Sequence, residues 1–224
     1  MRGLKTWVWT MWNQLGKSDY CNQSQFWSGA RTMGGVEPRD ATMAAVHYGF
    51  TSALIAVAFV KMGHKPKAVL DIGSGTGRWL DWYSDTFGAS VKGVELDRGR
   101  VNELLAKGHD VTCGDALDAL KQDGGKYDTI NAVGVLHHVL PDSKRVDLVH
   151  SLLDHLTPGG VLVIGGYFLP WRVQYTQGGM VYKKCWSWGR WRRVLRGLRV
   201  SLYRNPCCRW RRLPQNNIVV VGKS

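Results

Sequence analysis

Between residues 69 and 77 the chain reads Val69-Leu70-Asp71-Ile72-Gly73-Ser74-Gly75-Thr76-Gly77, and few folds accept such a run. An apolar stretch of strand length ends in three glycines at alternate positions, and the segment after it, Gly77–Phe87, has helical spacing. Glycines at that junction let the backbone turn sharply and let a ligand approach where a Cβ would otherwise stand. The junction therefore reads as a strand running into a helix through a ligand-binding turn, the unit from which parallel α/β sheets are built. Spacing narrows it further. A dinucleotide-binding turn follows G-x-G-x-x-G/A, and here Arg78 occupies the final position. What stands is D-x-G-x-G-x-G.

The following segments alternate in the same manner. Lys67–Gly73, Val91–Leu96, Val111–Cys113, Tyr127–Val135 and Gly160–Tyr167 read as strands, and Gly77–Phe87, Arg98–Lys107 and Ser143–Leu156 as helices between them. Strands so separated imply right-handed βαβ crossovers. The expected fold is α/β and doubly wound, Rossmann-like, with a mostly parallel seven-stranded sheet and helices on both faces. Asn217–Gly222 reads as a terminal strand, with Val200–Arg204 as its antiparallel partner. Ahead of the alternation come a short amphipathic helix carrying Leu4, Trp7, Val8, Met11, Trp12 and Leu15, a Gly-rich connection from Lys17 to Arg39, and a helix from about Asp40 to Met62. Residues 1–45 are expected to form an N-terminal cap segment. Residues 46–224 form the α/β domain, with 168–215 as a basic, Trp- and Arg-rich insertion for substrate or partner.

Further pieces fall in register with the glycine turn. Val94-Glu95-Leu96-Asp97 ends the second strand, and Cys113-Gly114-Asp115-Ala116 follows the third. Asp128–Val133 and Leu136-His137-His138-Val139 flank the end of the fourth, and Leu156-Thr157-Pro158-Gly159-Gly160 precedes the fifth. In this order, over the stretch from Ala68 to Gly166, the chain resembles the class I S-adenosylmethionine-dependent methyltransferases of the type 11 and type 25 kind. The resemblance implies S-adenosyl-L-methionine as cofactor and methyl transfer as activity. It implies that Gly73, Ser74, Gly75 and Gly77 line the methionine part, with Asp71 orienting its amino group through water. Glu95, with Leu96, would hold the ribose, since an acid at that strand tip can accept both hydroxyls. Asp115 and Ala116 would meet the adenine. The Asn131–Gly134 backbone, Val133 included, would close over the sulfonium side. Methyl transfer is an in-line displacement at an activated carbon, so the protein mainly aligns and desolvates. No metal is expected.

His137 and His138 lie where the fourth strand ends, at the mouth where substrates sit in open α/β sheets. A histidine can deprotonate a hydroxyl or ammonium acceptor near neutral pH. Some members of the family use a histidine at about this place and others keep it for packing; His137 is preferred over His138. Tyr20 is a further candidate, because family members fold an N-terminal segment over the site.

Charge speaks to the partner. Residues 1–154 hold 17 Lys+Arg and all 17 Asp+Glu, whereas His155–Ser224 hold 13 Lys+Arg and no acid, so the whole net charge of +13 lies there. An anionic partner follows: a small phosphate-bearing or lipid-like acceptor, an anionic membrane surface, or RNA. Trp171, Trp186, Trp188, Trp191 and Trp210 interleave with Arg190, Arg192, Arg193, Arg196, Arg199, Arg204, Arg209, Arg211 and Arg212, which suits either bases and phosphates or a headgroup layer. DNA adenine methylation is argued against by the absence of an (Asp/Asn)-Pro-Pro-(Tyr/Phe) motif after the fourth strand. Ribose 2′-O methylation is argued against because its ordered Lys-Asp-Lys-Glu set needs a late Glu, and the last here is Glu103. RNA base methylation stays open, as does a non-catalytic cofactor-binding adaptor, though an adaptor has no reason to keep Glu95 and Asp115 together. Five cysteines without a C-x-x-C pair, Cys207 and Cys208 adjacent among them, fit a reduced cytoplasmic setting, with a peripheral place at a membrane as an option. The N-terminal segment lacks a signal-peptide pattern and is expected to be retained.

Overall fold

The computed structural model describes residues 41–166, 173–177, 180–203 and 217–223. A long helix, α1 (Ala41–Met62), leads into the alternation β1 (Ala68–Ile72), α2 (Arg78–Phe87), β2 (Ser90–Glu95), α3 (Arg98–Ala106), β3 (Asp110–Cys113), α4 (Ala116–Gln122), β4 (Tyr127–Val133), α5 (Asp142–Asp154) and β5 (Leu156–Gly166). A hairpin, β6 (Val173–Gln177) and β7 (Met180–Cys185), precedes α6 (Trp188–Val194), β8 (Arg199–Tyr203) and β9 (Asn217–Gly222). The seven-stranded sheet runs β3-β2-β1-β4-β5-β9-β8. Its first five strands are parallel, and β9 and β8 are antiparallel to their neighbours, as expected for the terminal pair. Strand order reverses between β1 and β4, and in open sheets that switch point opens a crevice at the carboxyl ends of the strands.

Period-two alternation divides the core. Leu70, Ile72, Ile130, Leu162 and Val219 join Leu120 of α4, Leu148 and Leu152 of α5 and Trp191 of α6 on one face. Val69, Val161, Val163 and Val220 join Ile55 and Phe59 of α1 and Trp79 and Tyr83 of α2 on the other. Leu80, Val101, Leu104 and Val111 fill the gap beneath α3. Asp71 shares the parity of Val69, which directs it towards α1 and α2.

The structure departs from the sequence reading in four places. Helix α4 was not anticipated: it has 7 residues, too few to show a period, and it starts because the Asp115 carboxylate accepts from the Leu117 N–H at 3.1 Å. Strand β5 begins at Leu156 rather than Gly160, since the register against β4 slips between Tyr127 and Thr129 and the Thr157–Gly160 segment bulges. Pro158, without an N–H, is tolerated at such a bulge. Gly159, at φ +72°, donates to the Lys223 carbonyl at 3.1 Å. The third departure is that Trp186 and Trp191 are core residues, 1% and 4% exposed, rather than surface rings for a partner. Helix α1 also runs continuously across position 45. The amphipathic segment Leu4–Leu15, Tyr20, the Gly-rich connection, Trp171, Arg204, Cys207, Cys208, Arg209, Trp210, Arg211 and Arg212 lie outside the described residues.

Candidate active site

Hydrogen bonds gather most of the expected residues at the switch point. Asp71, on β1, lies beside Asn131, on β4, in the parallel register. Asn131 Nδ2 donates to Asp71 Oδ1 at 2.6 Å, and the Tyr83 hydroxyl, from α2, donates to Asn131 Oδ1 at 3.3 Å. Ser74 Oγ donates to the Asp71 carbonyl at 3.2 Å. Asp71 is fully buried, yet its Oδ2 has no hydrogen-bond partner among the described residues. Burial pushes its carboxyl up to about 7 from the usual 3.8, against the hydrogen bonds of Asn131 and Ser74 and with help from the Glu95 charge. Tyr48 of α1 stacks on Trp79 at 4.6 Å beneath the Arg78 guanidinium. Burial first, and then the nearby Asp71 charge, push its hydroxyl far above the usual range.

The turn itself admits no side chain at two positions. Gly73 has φ +72°, and a Cβ there would stand 2.5 Å from Val135 Cγ2; Gly77 has φ +86°, and its Cβ would stand 2.6 Å from Leu104 Cδ2. Glu95, buried at the tip of β2, holds the turn in place: its Oε2 accepts from the Gly75 N–H at 2.7 Å and its Oε1 from the Asp97 N–H at 2.9 Å. A carboxylate offers about four lone-pair sites, so two remain for a diol. Asp97 in turn caps α3 by accepting from the Arg100 N–H at 2.9 Å. Leu96 is half-buried between the two acids.

The next loop is tied to β2 by the Gly114 N–H, which donates to the Glu95 carbonyl at 2.9 Å. There Asp115 caps α4 with one oxygen and pairs through the other with Lys144 Nζ of α5 at 2.9 Å. Ala116 opens α4 behind it. Across the switch point Val133 packs over Gly165, where a Cβ would come within 2.6 Å of Val133 Cγ1. Leu136–His138 then forms a 3₁₀ turn. His137 is buried and His138 half-exposed, with ring centroids 4.2 Å apart. Arg145, buried in α5, fixes this turn: its Nη2 donates to the His137 carbonyl at 3.3 Å and to the Val139 carbonyl at 3.0 Å. Of the expected residues only Tyr20 falls outside the described part.

Three side chains that the sequence reading missed belong to the site: Tyr48, Tyr83 and Lys144. Tyr83 had a local signal, the helical i, i+4 spacing with buried Trp79. Tyr48 sits in a helix apolar on all sides, and Lys144 meets an acid 29 residues away, so neither had one. Together the residues present three acids at the ends of three adjacent strands, Asp71, Glu95 and the displaced Asp115, around the glycine turn. That arrangement suits a nucleoside bearing an ammonium group. Among the described residues no cluster of His, Cys, Asp or Glu is arranged to hold a metal ion.

Proteins of similar sequence and fold are named as methyltransferases. A family model described as a methyltransferase domain matches residues 69–160. The chain is 38% identical over 129 residues to a sphingolipid C9-methyltransferase of Candida albicans, covering 52% of this chain and 25% of that protein. It is 35% identical over 100 residues to a probable tRNA methyltransferase 9B of Mus musculus, covering 43% of this chain and 21% of that protein. The chain thus spans a fifth to a quarter of the length of these relatives. Among solved structures, 1,6-didemethyltoxoflavin-N1-methyltransferase of Burkholderia thailandensis with bound S-adenosylhomocysteine aligns at TM-score 0.64 and 20% identity over 90% of this chain and 87% of that one. The N-methyltransferase NodS of Bradyrhizobium japonicum, in complex with S-adenosyl-L-homocysteine, aligns at TM-score 0.67 and 12% identity over 90% and 98%.

Proposed function

We propose, from the premise that residues 69–160 are a methyltransferase domain of the class I S-adenosylmethionine-dependent kind, that this chain transfers a methyl group to a small or membrane-associated anionic acceptor. The observation that carries the cofactor reading is the unpartnered, fully buried Asp71 Oδ2 beside the glycine turn. A buried acceptor without a donor costs stability, and a ligand ammonium, directly or through one water, removes that cost. Glu95, already fixed by two N–H groups, receives the ribose hydroxyls, and Asp115 the adenine amino group, sharing the latter with Lys144. When bound, the cofactor supplies a methyl carbon activated by a sulfonium.

The chain's own residues do the rest. Arg145 holds the 137–139 turn at the mouth, and Val135 of the loop after β4 packs over Gly73. A proton leaving the acceptor as its new bond to carbon forms goes to an imidazole nitrogen of His137, or of the more accessible His138. The acceptor's charge follows from the acid-free segment 155–224, in which Arg192, Arg193, Arg196 and Arg199 are exposed. A lipid-like acceptor parallels the sphingolipid relative, and RNA is the alternative that the tRNA methyltransferase relative supports. On this reading the protein works in the cytoplasm, peripheral to a membrane.

The test pairs binding with turnover. Calorimetry with S-adenosylhomocysteine is expected to show binding that weakens by about 1–3 kcal/mol in Glu95→Ala. Radiolabelled methyl groups, offered with cell extract, are expected in the organic-soluble or small-anion fraction. Label in RNA would establish the alternative, and cofactor binding with no labelled product in any fraction would establish the adaptor.

A further inference from the structure

Helix α1 is apolar on both of its long faces, and only one of them is packed. Thr51, Ile55, Ala58 and Phe59 are buried against β1, β5 and β9. On the opposite side Phe50 is 40% exposed, Val57 47% and Val60 81%, with Ala53 exposed between them. At about 100° per residue these four fall within an arc of roughly 80°, so they form one stripe. Of the four large apolar side chains exposed among the described residues, three lie on this stripe and Leu105 elsewhere. A concentration of that kind marks a contact surface rather than scattered apolar exposure.

Charge states what the contact is with. Residues 41–70 contain no Asp or Glu, and exposed Lys61, Lys65 and Lys67 follow directly on the stripe. Arg199, exposed on the edge strand β8, lies at the same corner, since Met62 and Arg199 both border Gly222. Asp128, also at this corner, has its carboxylate committed to the Lys67 and Ala68 N–H groups and the Thr129 hydroxyl. Apolar side chains bordered by unopposed lysines match a bilayer interface, where the rings and branched chains enter the acyl boundary and the ammonium groups meet phosphates.

We propose that the outer face of α1, with Lys61, Lys65, Lys67 and Arg199, docks the protein on anionic phospholipid. The proposal supplies the surface for the membrane-associated acceptor inferred above, but it is read out without turnover. The full chain is expected to sediment with phosphatidylglycerol vesicles and not with phosphatidylcholine vesicles. The Val57→Asp/Val60→Asp double variant is expected to bind phosphatidylglycerol vesicles at least about tenfold more weakly, because each substitution replaces an exposed valine that enters the acyl boundary with a charge. Lys61→Glu/Lys65→Glu is expected to flatten the salt dependence of the remaining binding. In both variants the melting temperature and the affinity for S-adenosylhomocysteine stay unchanged. Native-level vesicle binding by Val57→Asp/Val60→Asp overturns the proposal. So does a loss of thermal stability in that variant, which would mean another part of this chain covers the stripe, or a change in oligomeric state, which would mean a second copy does. Loss of S-adenosylhomocysteine binding in the native chain would instead overturn the methyltransferase reading and leave the vesicle result standing.

Discussion

A carboxylic acid buried as completely as Asp71, with one oxygen unpartnered, ionises only at a cost to the fold. Its folded value of about 7 lies above the 3.8 of an unfolded chain, so between those values the folded state holds the extra proton. Stability from this group is therefore full below about pH 4, falls as the pH rises to about 7 and is flat beyond. Asp71→Asn is expected to stabilise the protein at about pH 8 by on the order of a few kcal/mol and to leave it little changed near pH 4, by urea unfolding at both values. A bound ammonium favours the ionised form, so affinity for S-adenosylhomocysteine should rise with pH up to about 7 and level off, and Asp71→Asn should bind weakly without that rise. Equal destabilisation by the variant at both pH values would rule this account out. His137 poses a separate question, because the structure buries it beneath the more open His138. If it takes the acceptor's proton, His137→Ala lowers turnover by roughly 10²–10⁴-fold with cofactor affinity intact. A drop of a few fold in a folded protein would assign it to holding the 3₁₀ turn.

Between elements, Asp142 at the start of α5 anchors the C-terminal part of the chain. It accepts from Trp186 Nε1 at 3.0 Å and pairs with Lys184 at 2.8 Å and Arg190 at 3.2 Å. Two guanidiniums lie over the Trp186 ring, Arg145 at 4.6 Å and Arg190 at 4.7 Å from its centroid. Burial alone would raise the Asp142 carboxyl, but Lys184, Trp186 and Arg190 hold it below its usual value. That contribution is present above the unfolded carboxylate range and is lost as the pH falls through the depressed folded value. Asp142→Ala is expected to cost roughly 1–3 kcal/mol near neutrality and to remove part of the acid sensitivity, measured as the urea midpoint from about pH 7 down to about pH 3. The same anchor explains why Lys184 and Arg190 are not free to meet a partner: both already face an acid. Arg145 passes the effect on, since it touches Trp186 and clamps the 137–139 turn, so the variant should also raise the KM of the acceptor more than that of the cofactor.

For the whole molecule, the net charge of +13 arises entirely beyond Asp154 and sets how it approaches an anion. Binding to phosphatidylglycerol vesicles or to RNA is expected to weaken steeply as salt rises past about 0.15 M. Arg192→Ala/Arg193→Ala should lower the salt slope for RNA, because both side chains are exposed at the end of α6, and leave that for vesicles unchanged, because α6 packs on the face of the sheet opposite α1. Salt-independent binding would show that the basic excess is not in the contact. Among the described residues no helix is long and apolar enough to cross a membrane, so a lipid contact would be a surface one.

The sequence by itself determined the parallel strands, the crossovers and the terminal antiparallel pair, because each rests on periodicity and turn chemistry within a few neighbouring residues. It also determined the turn at Gly73–Gly77 and the positions of Asp71, Glu95 and Asp115. Backbone geometry there demands glycine, and an acid at a strand end is placed by the strand itself. Only the tertiary structure decided which partner each group has. Asp71 meets Asn131 across 60 positions, Asp115 meets Lys144 across 29 and Trp186 meets Asp142 across 44. Local pattern does not encode such pairings, since they form only when the sheet brings strands β1 and β4 together and α5 folds back over α4. The same holds for burial. Trp186 and Trp191 read as partner-facing rings within an Arg-rich run and became core. Phe50, Val57 and Val60 belong to a helix that is apolar all round and stay outside, because a helix packed on one side of a sheet has only one face to bury.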